Sequence, residues 1–71
     1  MTLFELTVDV EFCGGLLISV WDDENDRYEM ELADFDELDE NDRKQLYNKR
    51  VNCLYPYVKG EYAATVIELY L

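Results

Sequence analysis

The chain has 71 residues, 49% of them hydrophobic, and a formal net charge of −11. That length makes one small domain with a modest core and little room for a deep catalytic cleft. The charge disfavours nucleic acid and anionic membranes as partners and favours basic proteins, while six Tyr, three Phe and one Trp exclude the aromatic-poor disordered class.

Residues 3–12, LFELTVDVEF, alternate in character. Phe4, Leu6, Val8, Val10 and Phe12 fall on one side, and Leu3, Glu5, Thr7, Asp9 and Glu11 on the other. Period two predicts a half-buried strand. Cys13-Gly14-Gly15 then predicts a tight hairpin turn. Residues 16–21, LLISVW, are apolar on both sides, which fits a central strand or one covered by a helix. Asp22–Asp26 holds no apolar residue and reads as a loop. Arg27–Leu32 resumes alternation with Tyr28, Met30 and Leu32 inward, giving a third strand in an antiparallel meander.

A helix follows, capped by Asp36 or Asp39 and running to about Lys49. Acids lie at its start and bases at its end, which suits the helix dipole. Asp39–Arg43 and Glu40–Lys44 are spaced for ion pairs, and Leu38, Leu46 and Tyr47 form a thin apolar stripe. Val51–Val58 reads as a strand in which Pro56 marks an edge, a bulge or an end. Lys59-Gly60 is a turn. Residues 61–71 form the last strand, with Ile67, Leu69 and Leu71 toward the core. The expected fold is α+β: a small antiparallel sheet of four to five strands with one helix, in the order β-β-β-α-β-β, as one domain over residues 1–71. A long C-terminal strand with little charge is an edge that needs covering, and pairing with a second copy as a homodimer is one way to cover it.

The chemistry-bearing residues are few. There is no His, and Ser19 is the only serine. Cys13 and Cys53 have no base to form a thiolate, and an acidic field opposes one. Paired carboxylates need a shaped cleft for glycosidase work. A non-enzymatic protein without cofactors is expected. Asp22, Glu24 and Asp26 have the 1-3-5 spacing of a calcium loop, but Arg27 and Ala33 stand where that loop needs Gly and Glu, so no dedicated metal site is expected. Two cysteines, no secretory leader pattern and no membrane-length apolar run point to the cytoplasm. Reduced thiols are the simpler reading there, with a Cys13–Cys53 disulfide left open.

The distinctive stretch is Asp22–Asp42, where twelve of 21 residues are acidic. Residues 1–42 hold fifteen acids and one base, and residues 43–71 hold two acids and five bases. Carboxylates on ordered elements can imitate a phosphate backbone. Duplex DNA carries one charge per about 1.7 Å of axis, and alternate strand residues lie about 6.6 Å apart. Asp9 and Glu11 on the first strand, Glu29 and Glu31 on the third, and residues 36–42 would form such a row. The candidate phosphate substitutes are Asp22, Asp23, Glu24, Asp26, Glu29, Glu31, Asp34, Asp36, Glu37, Asp39, Glu40 and Asp42. A second candidate surface is aromatic: Tyr55-Pro56-Tyr57 beside Trp21-Asp22-Asp23, suited to an Arg-rich groove.

Short length, acidity, a β-rich pattern and no catalytic residues together resemble small phage and mobile-element proteins of the anti-CRISPR and anti-restriction DNA-mimic type. The runs ISVWDD and LADFDELDENDRKQLYNKRVNCLYPY also look similar to small proteins of Firmicutes and their phages. The resemblance implies a mobile-element origin and transfers no functional residue. The expected function is inhibition of a basic, nucleic-acid-binding host defence protein, with no direct contact to nucleic acid or membrane. The alternative is a protein-binding adaptor or oligomerising module that uses the aromatic patch and a sheet edge. The plainest reading of the acids is a solvated surface.

Overall fold

A computed structural model describes residues 1–12 and 14–71. The elements run α1 (Leu3–Asp9), β1 (Gly15–Asp22), β2 (Arg27–Asp34), a 3-10 turn (Phe35–Glu37), α2 (Glu40–Tyr47), β3 (Val51–Lys59) and β4 (Tyr62–Tyr70). The α+β class holds. The sheet has four strands in the order β2-β1-β4-β3 and is mixed. The β1–β2 and β3–β4 pairs are antiparallel, whereas β1 and β4 are parallel.

The N-terminal segment is a helix, not the expected first strand. Thr2 and Glu5 decide it. The Glu5 N–H donates to Thr2 Oγ1 at 3.3 Å, and the Thr2 N–H donates back to Glu5 Oε1 at 3.1 Å. This reciprocal capping box satisfies two amides that a short helix otherwise leaves bare. A seven-residue helix is too short to persist by propensity. It is held because Leu3 and Leu6, three apart, are both buried. Phe4, Val8 and Val10, expected inward, are exposed. The chain start is also strapped to the far end of α2: the Leu3 N–H donates to Lys49 O at 3.0 Å and the Val51 N–H to Met1 O at 2.9 Å. Among the described residues no strand precedes Gly14, so the expected hairpin turn is not formed and Gly14 is a bend leading into β1; Cys13 lies outside the described residues. Gly14 has φ +88°, and a Cβ there would stand 3.0 Å from the Ala63 carbonyl oxygen.

Both helices cover one side of the sheet. There Leu16, Ile18, Val20, Ile67 and Leu69 pack with Leu3, Leu6, Phe35 and Leu46. Ile18, Ile67 and Leu69 are fully buried, each contributing about 1.5–3 kcal/mol. Leu46 is buried, and Leu38 and Tyr47, partly buried, pack against the same core. Leu71 is exposed. Asp39 caps α2 by accepting the Asp42 N–H at 2.8 Å, and Asp34 caps the 3-10 turn. Of the two expected helix pairs only Glu40–Lys44 forms, at 3.3 Å.

The C-terminal strand is interior, hydrogen-bonded to β1 on one side and β3 on the other. It therefore has no free edge, contrary to the expected edge position; the outer strands of the sheet are β2 and β3. Pro56 sits on edge strand β3, where its missing N–H costs no ladder bond. Edge strand β2 is irregular against β1, with register shifts between Ile18 and Val20 and between Val20 and Trp21. Bulges of this kind and acidic side chains both keep an edge from pairing with other chains. They also break the expected alternation. Met30 packs on the core, but Tyr28 and Leu32 do not turn inward with it. Among the described residues no helix is long and apolar enough to cross a membrane.

Candidate functional site: an open aromatic sheet side bordered by acids

Among the described residues no helix covers the second side of the sheet. Alternation brings Leu17, Ser19 and Trp21 of β1 there, with Val66 and Glu68 of β4 and Cys53, Tyr55 and Tyr57 of β3. Leu17, Ala64 and Val66 form a small second core roofed by Tyr57. Tyr57 meets Tyr62 edge-on at 6.3 Å between ring centroids. Trp21 meets Tyr28 edge-on at 4.8 Å. Aromatic rings thus do the covering that a helix does on the other side, and they leave gaps.

The polar residues of this side lie in one row. Cys53 pairs with Glu68 across β3–β4, and Glu68 with Ser19 across β1–β4. Cys53 Sγ donates to Glu68 Oε2 at 3.0 Å. That bond, with burial and the Glu68 charge, pushes the thiol up to about 11. The thiol stays protonated at neutral pH, which leaves little of the reactive thiolate. The Glu68 charge, with burial, also raises the Tyr28 hydroxyl. Burial first, then Glu68, raises that of Tyr55. Ser19 is 1% exposed, and its Oγ has no hydrogen-bond partner among the described residues. It lies at a hollow of about 440 Å³ lined by Ser19, Tyr28, Glu31, Leu32 and Tyr55.

The acids divide by task. Asp22 is 4% exposed. Its Oδ1 accepts the Glu24 and Asn25 N–H groups at 3.1 and 3.2 Å, and its Oδ2 accepts Asn25 Nδ2 at 2.7 Å. The Asn25 side-chain bond leads in holding this carboxyl below the usual range. Asp22 thus builds the β1–β2 turn and is not presented as a phosphate substitute. Asp34 and Asp39 are caps. Asp23, Glu24 and Asp26 stand on the turn, Glu29 and Glu31 on β2, Asp36 and Glu37 on the 3-10 turn, and Glu40 and Asp42 on α2; all nine are exposed. Among the described residues the one ion pair is Glu40–Lys44, so this charge is largely uncompensated. Asp9 belongs to α1, and Glu11 follows that helix rather than extending a row on β2.

Trp21, Tyr55 and Tyr57 lie on the open side, but the register sets Tyr55 level with Leu17 and Trp21 level with Tyr70, so Trp21 does not stand beside the two tyrosines as expected. Ser19 and Cys53, weighed in the sequence only as nucleophiles, join Glu68 in this polar row. Their signal was polar residues at alternate positions of apolar strands. No protein-family model matches the chain, and no curated protein or solved structure matches it, so geometry and charge carry the functional reading.

Proposed function

We propose that this protein is a non-enzymatic binding protein whose acidic edge occupies a basic, nucleic-acid-binding surface of another protein. The observation that carries this reading is the uncompensated charge on one continuous run of ordered chain: the β1–β2 turn, β2, the 3-10 turn and the start of α2. Self-repulsion among these groups lowers stability, so a purely structural chain gains little from them. The protonated Cys53 thiol and the lack of any His support a non-catalytic role. The resemblance to DNA-mimic inhibitors makes defence nucleases the target class to try first.

The aromatic side of the sheet supports an adaptor as the second reading. Exposed Tyr28 and Tyr55 and half-buried Trp21 are residue types that anchor interfaces. Capture separates the two. Immobilised protein is challenged with bacterial lysate, and retained proteins are eluted first with duplex DNA and then with salt. The acidic-edge reading expects DNA-displaceable proteins that a Glu29→Gln, Glu37→Gln, Glu40→Gln variant no longer retains. Retention that DNA leaves untouched and that Tyr55→Ala abolishes supports the adaptor instead.

A further inference from the structure

We propose that the hollow over Ser19, on the open side of the sheet, receives an arginine side chain of a basic protein partner. The basic partner is taken from the reading above; the pocket itself stands on its own geometry. Three observations identify the occupant. First, Ser19 lines the hollow and its buried Oγ has no partner among the described residues, so a donor that reaches it from the hollow completes its hydrogen bonding. Second, the hollow is negative. Glu31 lines it, Glu68 neighbours Ser19 in the β1–β4 register, and none of the six Lys and Arg residues contributes to its lining. Third, the aromatic rings of Tyr28 and Tyr55 line it. Such rings attract a cation over their π-system.

A guanidinium satisfies all three at once. Its planar fork presents several N–H donors, it stacks on aromatic rings, and it sheds water more readily than an ammonium. A volume of about 440 Å³ lies within the ordinary range of side-chain and small-ligand pockets. Anions are repelled by Glu31 and Glu68, and a plain apolar group leaves Ser19 unpartnered. Leu32, on the rim, has φ +32°, a left-handed backbone that a branched side chain rarely adopts. That kink accompanies the bulge in β2 beside the hollow.

The test uses the intact chain and Nα-acetyl-arginine amide as the probe, followed by two-dimensional amide NMR. The citrulline counterpart keeps the shape and removes the charge. We expect saturable shifts at Ser19, Tyr28, Leu32 and Tyr55 with half-saturation of the order of 1–10 mM, and citrulline at least about tenfold weaker. Glu31→Gln, at an exposed position, weakens arginine several-fold while the remaining spectrum stays in place. Equal binding of citrulline overturns the proposal, and so does the absence of saturation. Shifts confined to the β1–β2 turn and α2 overturn it too, yet leave the acidic-edge function intact. Saturable binding at Ser19 by a protein that DNA never displaces from its partner leaves the pocket standing and removes that function.

Discussion

The replacement Leu3→Ala tests the N-terminal helix. Leu3 is fully buried against the helix-covered core, whereas Val8 is 64% exposed. Truncating a buried Leu to Ala costs about 3 kcal/mol through lost transfer energy and the cavity left behind. A domain of 71 residues has about 4–10 kcal/mol in total. One kcal/mol corresponds to about 4–8 °C in a domain of this size, so the midpoint falls by about 12–24 °C. Val8→Ala removes little buried area and improves helix propensity by a few tenths of a kcal/mol, roughly, so its midpoint stays or rises. A strand with Val8 inward and Leu3 outward reverses that ranking. Thermal and urea unfolding, followed by circular dichroism and by Trp21 fluorescence, reads both variants. A Leu3→Ala loss below about 0.5 kcal/mol with a Val8→Ala loss above about 1 kcal/mol would refute the helix.

Three further outcomes follow from particular residues. Asp26 holds φ +52° at the end of the β1–β2 turn. Asp26→Val costs about 1–2 kcal/mol in urea unfolding and Asp26→Gly costs none. The Asp22 carboxyl is held low by the turn, so its contribution is present above the unfolded value and lost as pH falls through the folded one. The stability gap between the wild type and Asp22→Ala is therefore open at neutral pH and closes in acid. The Cys53 thiol is raised to about 11, so its contribution is full below the unfolded value near about 8.5 and lost as pH rises toward about 11. Maleimide labelling of Cys53 in a Cys13→Ala background should accelerate over that alkaline range, and a fast reaction at pH 7 would count against the Glu68 contact.

Much of this fold is legible in local pattern. LLISVW, apolar on both sides, announces interior β1, and the capping acids announce α2. The same double-sided signal in Val66, Ile67 and Leu69 marks β4 as interior; weighing only one side places it wrongly at an edge. The N-terminal segment carries two signals in conflict. Period two over LFELTVDVEF is longer, but Thr2-Leu3-Phe4-Glu5 is a capping box, and burial of Leu3 and Leu6 lets it win. Parallel β1–β4 pairing has no local signature, because α2 and the β3–β4 hairpin bring the strands together from far apart. At the site, charge is visible residue by residue, while its division into caps, turn-builders and exposed groups is not. Asp22 and Asp23 are identical as letters, yet only one is buried by its hydrogen bonds.

Binding through the acidic edge is measured most directly by a salt series. A partner retained and displaced by duplex DNA is titrated with wild type and with the Glu29→Gln, Glu37→Gln, Glu40→Gln variant between low and moderate salt. Screening acts over about 10 Å at 0.1 M. Wild-type affinity should fall by about tenfold or more across the series, and the variant should start weaker and fall less. Equal affinities with the same shallow slope would contradict the acidic edge as the binding surface.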